Sequence, residues 1–229
     1  MKTLAAIQSF LHNRRAQNLS PATLRWYEYL LGELDKVYPE LPTDPCAIEA
    51  FLGSLADRKL SKESVHGYFR ALKTFYRFLA DRTGIPNPIA RINAPRQEDG
   101  EEMQTLEPDE LMRLLNSVAG AKLRDRAILT LFVDSGIRCS ELTGLRRQDI
   151  RTETIVVSGK CGKREVPISE ETKRLLLALI DNSDSQHVFL GHKGPLGKHG
   201  IYSIVRSYMR KAGISGPKQG PHRIKARIW

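Results

Sequence analysis

Residues 85–104, IPNPIARINAPRQEDGEEMQ, constrain the fold more than any other stretch. Three prolines, a glycine and an acidic cluster fall here, with no apolar repeat beyond Ile89 and Ile92. Proline removes backbone donors, and a run of acids has nothing to bury, so neither a long helix nor a strand fits. Before this stretch the apolar residues follow one period; after it they follow two. The chain therefore reads as two domains, 1–95 and 104–229, joined by a linker at 96–103. A long surface loop inside one domain is the competing reading, and the independent helical unit in front of it argues against that.

The first part is helical by pattern. Thr3 to Ala16 open it. Ser20-Pro21 starts the next helix: serine caps it, and proline fits a first turn that needs no N–H. Leu24, Tyr27, Leu31 and Leu34 then recur at helical spacing. Pro39, Pro42 and Pro45 break the chain before a short helix around Ile48, Phe51 and Leu55. Ser61 caps a fourth helix with the stripe Val65, Tyr68, Phe69, Leu72, Phe75, Tyr76 and Leu79, which ends at Gly84.

The second part mixes types. Pro108 opens one helix. LRDRAILTLFVDSG is a strongly apolar helix stopped by Gly136, and a short helix follows Arg138. TIVVSGKCGKREVPIS then changes period, as a β-hairpin: Ile155–Val157, a turn at Lys160–Lys163, and a return over Glu165–Ile168. Ser169 caps a further helix, a short strand and loop follow, and IYSIVRSYMRKAGI is a basic helix ending at Gly213. Tyr202, Val205 and Tyr208 read as one packing stripe on it. The expected class is mainly α with a small β-sheet, a helical bundle followed by a mixed α+β domain.

With 229 residues, 41% of them hydrophobic, the chain can bury a real core. No apolar run approaches the roughly 20 residues of a membrane helix, and the N-terminus shows no signal-peptide pattern, so a cytoplasmic protein is expected. Cys46, Cys139 and Cys161 are odd in number and far apart, without zinc spacing. Reduced thiols and no metal site follow. Net charge is +10, and after Asp184 there is no acid at all. Lys193, Lys198, Arg206, Arg210, Lys211, Lys218, Arg223, Lys225 and Arg227 share that segment. One sign of charge over such a length calls for an external polyanion, with nucleic acid the leading candidate.

The sharpest motif is DSGIRCSELTGLRRQDI, residues 134–150. Gly136 permits a tight turn, which projects Arg138 from the start of the next helix. Glu141, three residues on, is placed to brace its guanidinium. A braced planar fork suits two phosphate oxygens.

This segment resembles the first active-site box of the tyrosine recombinases, or phage integrases: G-[LMI]-R-x-x-E-L-x-x-L-x-x-x-D-[IL], with every fixed position matched. SGKCGKREVPI resembles the family's β-hairpin, and GPHRI the start of its H-x-L-R-H box. LSPATLRWYEYLLGEL and SVHGYFRALKTFYRFLADRTGIPNPIARI are similar to its helical, SAM-like core-binding domain, most like the Xer branch. The resemblance runs from about residue 3 to residue 224. It implies duplex DNA as partner, together with other recombinase protomers, and strand exchange without metal or cofactor. A tyrosine attacks a backbone phosphate to give a 3′-phosphotyrosine. By the same resemblance Arg138 is the first arginine, Glu141 its support, Lys160 the hairpin general acid, with Lys163 a weaker rival, and His222 the first residue of the second box.

The register then departs. Lys225 stands at the second arginine position and Ala226 at the second histidine position. No residue up to Trp229 matches the later His or Trp or the nucleophilic tyrosine, and Tyr202 and Tyr208 fall before His222, out of order. Two functions stay open: a site-specific recombinase whose complete form cuts DNA, and a catalytically inactive DNA-binding fragment that occupies sites. A basic helical protein with no DNA role leaves the ordered motifs unexplained.

Overall fold

The computed structural model describes residues 1–96, 105–159, 162–181, 183–216 and 219–224. Two compact units divide the chain, Met1–Glu101 and Glu102–Trp229. The linker expected at 96–103 lies, apart from Arg96, outside the described residues.

The first unit holds four helices: α1 Thr3–Ala16, α2 Pro21–Val37, α3 Pro45–Asp57 and α4 Lys62–Thr83. Their ends follow local chemistry. The Ser20 and Ser61 hydroxyls accept the N–H groups of Thr23 and Ser64, and Asp44 accepts that of Cys46. Gly84 closes α4 in the left-handed region, at φ 69°. The α4 stripe packs on Phe10, Leu31, Leu34, Ile48, Phe51 and Leu55. Phe10 meets Tyr27, Phe75 and Phe78 edge-on.

Within that core, the Tyr76 hydroxyl donates to the Pro42 carbonyl at 2.7 Å. Burial pushes its phenol well above the ordinary 10.0. Tyr68 is pushed up to about 12, by burial first and then by Tyr29 and Glu33. A phenol that resists ionisation when folded binds its proton more tightly in the native state. Its contribution is fully present below 10.0 and fades as pH rises toward the folded value. Tyr76→Phe should cost about 1–2 kcal/mol at neutral pH, because the Pro42 carbonyl loses its donor. The same variant should lose less stability than the parent above that pH, a comparison that denaturant titrations at two alkaline pH values would make.

The second unit contains α5 Pro108–Ser117, α6 Leu123–Ser135, α7 Cys139–Gly144, β1 Thr154–Gly159, β2 Gly162–Pro167, α8 Glu170–Asp181, β3 Leu190–Gly191, β4 Gly194–Pro195 and α9 Lys198–Lys211. The strands make two separate antiparallel pairs, β1 with β2 and β3 with β4. The hairpin is longer than its apolar pattern suggested, because backbone pairing runs out to Gly159 and Gly162 past the last inward side chain. Ile128, Leu131 and Phe132 of α6 lie at the centre of this core, with Leu142, Ile155, Leu176, Ile201 and Val205 around them. The architecture is mostly helical with small sheets, as the patterns predicted. Among the described residues no helix is long and apolar enough to cross a membrane.

Candidate functional site

Gly136 ends α6 at φ 58°, a left-handed conformation that reverses the chain within one residue. Ile137 is buried beside it, and Arg138 becomes the residue that caps α7. The Glu141 carboxylate accepts the Arg138 N–H at 2.7 Å and a guanidinium nitrogen of the same residue at 3.3 Å. The Arg164 guanidinium donates at 2.9 Å to Oε2, the oxygen that also accepts the Arg138 N–H, while the Arg138 guanidinium sits on Oε1. Glu141 side-chain exposure is 1%, against 75% for Arg138 and 47% for Arg164. One buried carboxylate thus holds two partly exposed cations from behind and leaves Arg138 facing solvent. Gly159 keeps the space open: a Cβ there would stand 2.8 Å from the Glu141 Oε1.

Arg164 was not anticipated from sequence. Its signal was the strand period. It lies two residues before the inward-facing Val166 and pairs with the buried Val157.

His222 arrives from the opposite side, in a short 3₁₀ turn over Pro221–Arg223. That turn is pinned through its neighbour. The Arg223 carbonyl accepts the Leu106 N–H at 3.0 Å, and its guanidinium donates to the Ser215 carbonyl at 2.9 Å and lies 3.7 Å from Glu110. Arg223 is 4% exposed, which corrects the expectation that the late basic residues all face a polyanion. It is a fastener of the fold.

Arg138 and His222 line one cavity of about 570 Å³, together with Cys139, Ser140, Lys198 and Tyr202. Among the described residues lining it, none is acidic. Burial pushes the Cys139 thiol up, against the opposing pull of Lys198, so it adds no negative charge there. The site is cationic, half-open and walled by a low-dielectric core, which suits one phosphoryl group. A second cavity of about 460 Å³ between α5, α6 and the start of α8 is largely apolar, and its Arg126 is paired with Glu171 at 2.6 Å.

Of the residues singled out in the sequence, Arg138, Glu141 and His222 come together. Lys160 lies outside the described residues, as do Lys225, Ala226 and Trp229. Lys163 is exposed on β2 and lines a different depression, with Asp149 and Glu165. Tyr208 packs in the core and donates to Asp125 at 3.4 Å. Tyr202 does not share its stripe: it faces the cavity, contrary to the sequence reading. Among the described residues no group of three His, Cys, Asp or Glu is placed to hold a metal ion.

The family model for the phage integrase family matches residues 104–227. This chain belongs to the phage integrase family. Two curated relatives bear on the same point. The tyrosine recombinase XerC of Syntrophus aciditrophicus is 32% identical over 88% of this chain and 73% of its own. The tyrosine recombinase XerA of Pyrococcus furiosus is 30% identical over 98% of this chain and 79% of its own. Among solved structures, lambda integrase (residues 75–356) bound to DNA superposes with a TM-score of 0.78 at 17% identity, covering 98% of this chain and 84% of that one. The Tn1549 transposon integrase in complex with transposon right end DNA gives 0.79 at 19%, with the same coverage. Both carry the integrase fold seen here.

Proposed function

We propose that this integrase-family chain is a site-specific recombinase that binds duplex DNA, with a backbone phosphate seated against Arg138, His222 and Lys198. The carrying observation is the cavity itself: Arg138, exposed and braced from behind by the buried Glu141 carboxylate, shares it with Lys198 and His222, with no acid among the described lining residues. Arg138 contributes a bidentate fork for two non-bridging oxygens. His222 adds a hydrogen-bond donor. Lys160 is the general acid for the departing 5′ oxygen. In this division 1–95 is a helical core-binding domain and 104–229 the catalytic-type domain, working with neighbouring protomers on DNA in the cytoplasm. The reaction carries its bond energy in a phosphotyrosine, so rejoining needs no external energy source.

A second reading, DNA occupation without cutting, has its own support. The second unit contains two tyrosines. Tyr208 is buried on Asp125, and the Tyr202 hydroxyl is engaged at His222.

Incubation of the 229-residue protein with nicked suicide duplexes, read on denaturing and native gels, tests both. A covalent protein–DNA band absent from Arg138→Ala supports the recombinase with a working nucleophile. A salt-sensitive native shift alone supports occupation. Neither band nor shift rejects the DNA reading.

A further inference from the structure

The pins on Arg223 fix the backbone of the 3₁₀ turn on which His222 stands, and a helix packed beside it reaches the ring. The face of α9 formed by Lys198, Tyr202 and Arg206, at i, i+4 and i+8, runs along this segment. Arg206 donates to the Gln219 carbonyl at 3.0 Å. Tyr202 brings its hydroxyl to 3.2 Å from His222 Nδ1, with the ring centroids 5.9 Å apart and the planes at 46°. Lys198 lines the same cavity one turn earlier. Ile201, Val205 and Met209 bury the other side of α9, so the core sets which way the Tyr202 face of the helix points.

Gly220 makes this contact possible. A Cβ at that position would lie 2.8 and 3.1 Å from two Tyr202 ring carbons and 3.1 Å from His222 Cε1. Its backbone is extended, at φ 168° and ψ 178°, a conformation any residue adopts. The glycine is therefore required for room rather than for conformation. Two aromatic rings, from elements twenty residues apart, close over a bare Cα.

We infer that Tyr202 is a positioning residue for His222: its hydroxyl donates to Nδ1, which places the proton of the neutral ring on Nε2 and aims that edge at the phosphate. This rests on the phosphate reading of the cavity given above. A phenol is the better donor of the pair, and a neutral imidazole needs one nitrogen to accept. With Nδ1 accepting, Nε2–H becomes a donor held in direction, the same arrangement by which a neighbouring group selects the tautomer of a metal-bound or catalytic histidine. Without the hydroxyl, Nδ1 loses this donor, and the Nε2–H tautomer loses the bond that favours it.

The test is a long-range 1H–15N spectrum of the imidazoles in the 229-residue protein, at a pH where the rings are neutral, with His222 assigned through H222Q. Tyr202→Phe is the informative variant, because it keeps the ring over Gly220 and removes the hydroxyl alone. The parent should show His222 as the Nε2–H tautomer, and Tyr202→Phe should show a mixture. Gly220→Ala, which pushes both rings apart, should give the same mixture. Duplex affinity should fall about fivefold in Tyr202→Phe, the effect of one hydrogen bond. Its salt dependence should not change, since no charge is removed. In an H222A background, Tyr202→Phe should have no further effect. A His222 that is Nδ1–H in the parent, or whose tautomer is indifferent to Tyr202→Phe, overturns the inference. A tautomer change in a protein that binds no duplex keeps the hold on His222 and overturns the phosphate reading instead.

Discussion

Phe132→Ala should destabilise the second unit by about 3–5 kcal/mol, the range for truncating a fully buried aromatic side chain. Phe132 is 0% exposed at the centre of that core, with α6 neighbours Ile128 and Leu131 equally buried. Removing the ring leaves a void that helices on several sides cannot close together. The loss is a large share of the 5–15 kcal/mol that typically holds a domain. The two cores share no residue. Native-state hydrogen exchange should therefore show protection falling in α6 and α9 while α4 keeps its own. Equal loss in α4 would mean that the chain unfolds as a single cooperative unit.

Glu141→Gln should weaken the site in spite of making it more positive. The carboxylate accepts from the Arg138 N–H, the Arg138 guanidinium and the Arg164 guanidinium. A glutamine amide offers one acceptor oxygen and turns its NH2 toward groups that are themselves donors. About 2 kcal/mol of stability should be lost; both guanidinium groups reach water, which keeps the cost below that of a fully buried pair. Duplex affinity should fall roughly tenfold, because Arg138 is no longer held in its fork geometry. If attraction depended on charge alone, the added unit of positive charge would tighten binding. The direction of the change in a binding titration separates orientation from charge. Gly159→Ala should move in the same direction by displacing the same carboxylate.

Much of the fold was legible because its signals are local. Ser20 and Ser61 cap helices where they were expected, and Gly84 and Gly136 end them, since each choice is decided by a few adjacent backbone groups. The bracing of Arg138 by Glu141 was legible for the same reason, being three residues apart on one turn. The contacts that complete the site were not. Arg164 reaches Glu141 across 23 residues and Tyr202 reaches His222 across 20, with Gly220 making room for the second, and no local pattern links them. Tyr202 was misread through its period. Six residues on an α-helix turn about 600°, which leaves Tyr202 and Tyr208 about 120° apart, on different faces. Tyr208 joins Ile201, Val205 and Met209 in the core, while Tyr202 looks outward to His222. Arg223 shows the limit of charge counting. Its sequence neighbours made it one more cation for a polyanion, and the backbone carbonyl of Ser215 claimed it for the fold.

The most direct measurement of the central claim is the salt dependence of duplex binding by the parent, Arg138→Ala and Arg138→Lys. If Arg138 grips a backbone phosphate, Arg138→Ala should reduce the slope of log affinity against log salt by about 1 and weaken binding uniformly across duplex sequences. Arg138→Lys should restore the slope, because the charge returns, while recovering only part of the affinity, because the fork does not. A slope unchanged in Arg138→Ala, with affinity unchanged beside it, would show that no phosphate sits at Arg138 and would contradict the account.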